Sequence, residues 1–170
     1  MGAEWAWREL YRETAPAVDR YLRARRVPDA DDVVGETFVN VVRSIDGFEG
    51  DETAFRAWVF AIARNRATDE LRRVIRHPIV PASIEELADR GLRGDVETEA
   101  MEGLANDRIG RLLDALTADQ RDVLLLRILG GLTVDQVAAA VGRNPGAVKM
   151  LQARGVAAIR REIERGAVTL

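Results

Sequence analysis

Asn65, Asp69, Arg72 and Arg76 recur at intervals of four, three and four residues in a stretch of helical periodicity, so one stripe of a helix carries an amide, a carboxylate and two guanidinium groups in line. An amide and a carboxylate one turn apart can hydrogen-bond the polar edge of an unstacked base, and guanidinium groups beyond them can hold phosphates. Trp58, Phe60 and, from the loop before this helix, Phe48 supply aromatic surfaces on which bases stack. A solvated face held together by ion pairs has the same spacing, and the pattern alone leaves both readings open.

A second constellation lies toward the C-terminal end. Thr117-Ala-Asp-Gln120 and Thr133-Val-Asp-Gln136 both have the form of a capping box, in which a threonine hydroxyl and a glutamine amide satisfy free backbone donors at a helix start. Gly142 suits the left-handed position that ends a helix, and Asn144 followed by Pro145 starts the next. A short helix, a tight turn and a longer basic helix make a helix-turn-helix. On its last helix Val148, Leu151, Val156, Ile159 and Ile163 are expected to point inward, while Gly146, Lys149, Met150, Ala153 and Arg154 share the outward face. Small outward residues let such a helix approach base edges in a major groove. A plain helical hairpin is the alternative, but its solvated face would carry more Glu and Lys than Gly146, Ala147 and Ala153 provide.

Other chemistries are poorly served. The 170 residues include no cysteine, which excludes disulfides, thiolate metal sites and a cysteine nucleophile. The single histidine, His77, stands beside Pro78 with no second imidazole, and Ser44 and Ser83 are the only serines, so neither a catalytic set nor a metal or cofactor site is expected. No apolar run approaches the roughly 20 residues that span a bilayer, and the first residues lack the order of a signal peptide, so a cytosolic protein without membrane insertion is expected.

Net charge is only −3, but the charge is unevenly placed. Residues 55–77 carry 6 Arg against 2 acids, residues 143–165 carry 6 basic residues against 2 acids, and residues 84–107 between them carry 8 acids against 2 Arg. Two basic segments flanking an acidic one are the footprint of a chain that meets a polyanion in two places.

The elements that must position these groups are helices throughout. The periodicity predicts a first helix over about 4–25, with Trp5, Leu10, Ala17 and Tyr21 among its apolar positions, and a second from near Asp29–Asp32 to Ser44. In the second, Val34, Phe38, Val41, Val42 and Ile45 form the expected buried stripe, and Asp32, Glu36, Asn40 and Arg43 face outward. A glycine-punctuated loop over 46–51 leads to a long third helix over about 53–76. Pro78 and Pro81 end it, and an acidic, flexible linker follows. Helical pattern resumes near Met101. The fold class is therefore all-α: two small helical domains, 1–77 and 101–170, joined by a linker over 78–100.

The motifs carry a resemblance. Asp29-Ala-Asp-Asp-Val-Val-Gly-Glu-Thr-Phe38, Phe55-Arg-Ala-Trp58 and Ile62-Ala-Arg-Asn-Arg-Ala-Thr-Asp-Glu-Leu-Arg-Arg73 resemble region 2 of the extracytoplasmic-function sigma factors of bacterial RNA polymerase. Leu116-Thr-Ala-Asp-Gln-Arg-Asp-Val-Leu-Leu-Leu-Arg127 and the segment from Gly131 to Lys149 resemble their region 4. The chain departs from the family pattern at Gly35, where Gln is usual, at Val42, where Trp is frequent, and at Met150-Leu151, where Ser-Arg is usual.

The resemblance implies a non-enzymatic promoter-specificity subunit. Asp32, Glu36, Thr37 and Phe38 would dock on the clamp helices of the largest polymerase subunit. Phe48, Trp58, Arg64, Asn65, Asp69, Arg72 and Arg73 would capture the melted −10 element, a flipped base falling to Phe48, Asn65 and Asp69. Arg143, Asn144, Lys149, Met150, Ala153 and Arg154 would read the −35 element as duplex. It further implies contact with the polymerase flap, a linker threading the RNA-exit channel, and an anti-sigma factor. A stand-alone helix-turn-helix regulator would explain the C-terminal half but leave the Asn65 helix unused.

Overall fold

The computed structural model describes residues 2–76 and 108–166, with side chains from Trp7 onward. Its elements are α1 (Gly2–Ala24), α2 (Ala30–Ser44), a 3₁₀ turn (Ile45–Gly47), α3 (Glu52–Arg76), α4 (108–114), α5 (Ala118–Ile128), α6 (Val134–Val141) and α7 (Pro145–Glu164). No strand occurs among the described residues. The linker over 78–100, His77 and the helical start at Met101 lie outside them.

In the N-terminal domain α1, α2 and α3 pack together around Val18, Tyr21, Leu22, Val41, Val59 and Phe60. The α2 stripe follows Val33, Val34, Thr37, Phe38 and Val41. Val42, expected inside, is exposed by half, because it falls one position past the stripe where no facing element covers it. Phe60 is also displaced from its expected place: it is fully buried against Tyr21, with ring centroids 5.7 Å apart, and offers no surface to a base.

The C-terminal domain is set by its caps. Thr117 Oγ1 accepts from the Gln120 amide at 3.3 Å while Gln120 Oε1 accepts from the Thr117 amide at 3.1 Å, and Thr133 with Gln136 repeats the arrangement at 3.2 and 2.8 Å. Gly142 ends α6 at φ 66°, a left-handed turn that costs glycine little, and Asn144 Oδ1 accepts from the Ala147 amide to start α7. The inward face of α7 runs through Val148, Leu151, Gly155 and Ala158, whereas Val156, expected inside, is 44% exposed. Gly155 is the reason: a Cβ there would lie 2.8 Å from Leu124 Cδ1, so the helix crosses α5 on its glycine and Val156 is rotated outward.

The two domains are not separate bodies. Tyr21, Val59 and Phe60 belong to the same hydrophobic cluster as Val123, Leu126, Val137 and Val148. Gly155→Val should crowd the buried Leu124 and lower unfolding stability by about 1–3 kcal/mol. Urea denaturation followed by circular dichroism checks this, and an unchanged midpoint would mean that Leu124 has room to move.

Candidate nucleic-acid interface

On α3 the positions of Trp58, Ile62, Asn65, Asp69, Arg72 and Arg76 form one continuous stripe. Asn65, Asp69, Arg72, Arg73 and Arg76 are exposed. Asn65 makes no side-chain hydrogen bond among the described residues, while Asp69 pairs with Arg66 at 3.4 Å across a solvent-facing turn. Arg73 grips Glu70 in a fork at 2.6 and 2.8 Å, and that hydrogen bond holds the Glu70 carboxyl below the usual carboxylate range.

At the N-terminal end of the stripe Phe48 stacks on Trp58, with centroids 5.0 Å apart and planes 24° from parallel, and Phe55 closes the edge. Both stacked rings are half-buried. Asn65 lies two turns further on, about 10 Å along the axis. The structure thus brings Phe48, Trp58, Asn65 and Asp69 to one face: an aromatic platform, then an amide, then a carboxylate.

Arg64 departs from this group. Its Nε is 3.1 Å from Asp122 Oδ2 on α5, and its Nη1 donates to the Ala140 carbonyl at the end of α6 at 3.3 Å. Asp122 is held from its other side by Arg25 Nε at 2.6 Å and accepts from the Tyr21 hydroxyl at 3.3 Å. Burial, then the Asp122 carboxylate, push the Tyr21 phenol well above its ordinary pKa.

On α7 Lys149, Met150, Ala153 and Arg154 are exposed on one face of the N-terminal half, as a groove-reading helix requires. Arg143 and Asn144 are exposed in the turn, where Arg143 also pairs with Asp119 at 2.5 Å. Beside this face lies a cleft of about 540 Å³ lined by Arg127, Lys149, Gln152, Ala153, Val156 and Arg160. Arg127 and Arg160 were not singled out by sequence, because Arg127 sits in a leucine run; its Nη1 donates to the Leu132 carbonyl while its buried Nε has no partner.

On α2 Asp32 and Glu36 are exposed, but Thr37 and Phe38 are buried. Thr37 Oγ1 donates to the Val33 carbonyl at 2.7 Å, and Phe38 packs edge-on against Tyr11 and Trp7. The surface that α2 offers is therefore Asp32 and Glu36 with Val39 and Val42, each of the valines about half exposed.

Residues 10–76 match Sigma-70 region 2 and residues 106–159 match Sigma-70 region 4, so the helical frame is that of a sigma factor. The ECF RNA polymerase sigma factor SigD of Mycobacterium tuberculosis is 33% identical over 165 residues, spanning 93% of this chain and 77% of SigD. CnrH, solved in complex with the cytosolic domain of CnrY, superposes with a TM-score of 0.69 at 25% identity, over 96% of this chain and 91% of that one. RpoE of Bartonella quintana, solved with the anti-sigma factor NepR, shares the fold at a TM-score of 0.69 and 21% identity, over 94% and 97% of the two chains. The chain belongs to the extracytoplasmic-function RNA polymerase sigma factors, which are transcription initiation factors and not enzymes. No described helix is long and apolar enough to cross a membrane.

If the Phe48–Trp58 stack is an energetic unit, a double-mutant cycle with Phe48→Ala and Trp58→Ala should give a coupling of about 0.5–1.5 kcal/mol in unfolding stability. Additive losses would show two independent contacts.

Proposed function

We propose that the chain binds core RNA polymerase in the cytoplasm and directs initiation by reading the −35 element as duplex and the −10 element as a melted strand. The observation that carries this is the pairing, in one chain, of two exposed faces with different chemistry. One is an aromatic platform followed by an amide and a carboxylate; the other is a basic helix-turn-helix with small residues between its cations. Watson–Crick edges are hidden in a duplex, so an extruded base is the one whose whole polar edge the first face can take.

In this reading residues 1–77 form the region 2 domain, 78–100 the linker through the RNA-exit channel, and 101–170 the region 4 domain. Phe48, Trp58, Asn65 and Asp69 take a −10 base, with Arg64, Arg72 and Arg73 along the backbone. Lys149, Met150, Ala153 and Arg154 read −35 base edges, and Arg143 and Asn144 lie near the phosphates. Asp32 and Glu36 are the polar part of the clamp-helix contact, Val39 and Val42 its apolar part, and buried Thr37 and Phe38 hold α2 in shape. Region 4 also meets the flap.

An anti-sigma partner belongs to the reading. A cleft of about 900 Å³ between α1, α4 and α5 is floored by Leu113 and the buried Leu125, exposes Ile109 and Ile128, and has Arg20, Arg23 and Arg111 at its rim, which suits an acidic amphipathic helix.

The test is Asn65→Ala in holoenzyme, on a promoter mapped by sequencing transcripts made after overexpression. The variant should assemble and form a closed complex but fail at strand opening, read as lost permanganate reactivity of thymines near the start site. A pre-melted bubble should partly rescue it, and opening at the wild-type rate would remove the base-capture role.

Lys149→Ala and Arg154→Ala should each weaken −35 duplex binding by about 1–3 kcal/mol if they touch base edges, with core binding intact. Mobility-shift titration checks this, and normal transcription by both variants from a −35-dependent promoter would move the recognition face elsewhere.

A further inference from the structure

The outward face of α7 carries hydrogen-bond donors and apolar groups but no free acceptor. From Arg143 to Arg161 the sequence contains no acid, so no carboxylate stands on this face. Of the two amides in that span, Asn144 has its Oδ1 engaged as the cap on the Ala147 amide at 2.8 Å, and Gln152 is half-buried, lining the cleft with Arg127. What the helix exposes is Lys149, Met150, Ala153 and Arg154 in its N-terminal half, followed by Val156 and Ala157. Neither Lys149 nor Arg154 makes an ion pair or a side-chain hydrogen bond among the described residues, so both cations are available to a ligand.

This inventory restricts which base edges the helix can read. In the major groove the exocyclic amines of adenine and cytosine are donors, and they are recognised by side chains that accept, Asn or Gln for the one and Asp or Glu for the other. Guanine offers two acceptors to a cation, and thymine offers an acceptor and a methyl group. A face of donors and apolar groups therefore matches guanine and thymine, and it offers nothing to adenine or cytosine on the strand that it touches.

Met150 is the decisive residue. It is 48% exposed among cations, where it adds little to the core. Ala153 follows it on the same face, about 4.5 Å further along the axis, between one and two base-pair steps of about 3.4 Å. Lys149 and Met150 flank Ala153 on either side at 100° per residue. An unbranched, polarizable methionine adapts to the shape it meets, and the small Ala153 keeps the approach close.

We propose that the −35 sequence selected by this chain presents one or two adjacent thymines to Met150 and Ala153, which cover their 5-methyl groups, beside a guanine held by Lys149. This inference rests on the reading of α7 as the −35 helix and names bases within that element.

The experiment uses holoenzyme and its mapped promoter, with each thymine of the −35 element on either strand replaced in turn by deoxyuridine. That exchange removes one methyl group and alters no hydrogen bond. At least one replacement should weaken closed-complex formation about threefold to fourfold, the effect of exposing one buried methyl group. In holoenzyme carrying Met150→Ala the cost of a replacement at the methionine contact should vanish, and because Met150 is exposed the variant keeps its core.

A −35 element without thymine on either strand overturns the inference, as does one in which no deoxyuridine costs even about twofold. A methyl effect that Met150→Ala leaves unchanged overturns it too, since another group then reads the thymine. Lys149→Ala separates these failures from failure of the underlying reading. If it weakens closed-complex formation while deoxyuridine has no effect, α7 still reads the −35 element and only the thymine contact falls. If Lys149→Ala and a scrambled −35 element both leave binding unchanged, the −35 reading falls and the inference falls with it.

Discussion

One buried carboxylate, Asp122, ties the two halves of this sigma factor together beside the apolar cluster that they share. A carboxylate removed from water must be matched by cations and donors, and here Arg25, Arg64 and Tyr21 converge on it from two helices of the other domain. That requirement holds α5 against α1 and α3. A cluster of one anion and two guanidinium groups contributes more to orientation than to net stability, because desolvation offsets much of the Coulombic gain.

Within each domain the organising forces differ. The N-terminal three helices are held by an apolar core with Tyr21 and Phe60 at its centre, and α3 is long enough to bury one face there while leaving a full stripe in solvent. The C-terminal domain is small, and its helix starts are set locally by two capping boxes and the Asn144 cap. Gly155 then permits the close crossing of α7 over α5 and rotates the outward face that carries Lys149 and Arg154. The two exposed faces therefore differ in kind: an extended aromatic and polar stripe on α3, and a face of small and basic residues on α7.

The same geometry explains why the α2 surface is smaller than its motif. The resemblance assigned four motif residues to the clamp contact, but a helix that packs on two neighbours needs a wide apolar stripe, and Thr37 falls within it beside Phe38, which the periodicity already placed inside. A buried threonine is tolerated because its hydroxyl returns to the carbonyl one turn back. What the helix presents instead is a mixed patch, two carboxylates beside two exposed valines, with Gly35 adding no side chain between them.

Sequence alone determined the all-helical class, the helix bounds to within about two residues, the two capping boxes, the left-handed Gly142, the Asn65–Arg76 stripe and the outward face of α7. These are local properties: periodicity, caps and turn chemistry act over a few residues, so they can be read from a few residues. Tertiary structure decided the rest. Phe60 became core while Phe48 and Trp58 became a platform, because which aromatic is covered depends on where α1 crosses α3. Val42 and Val156 were left outside, since helical spacing gives a stripe but not its edges. The placement of Arg64 on Asp122, 58 residues away in the chain, had no local signal at all. A charged residue in a helix reads as solvated until a distant segment brings the opposite charge and removes the water.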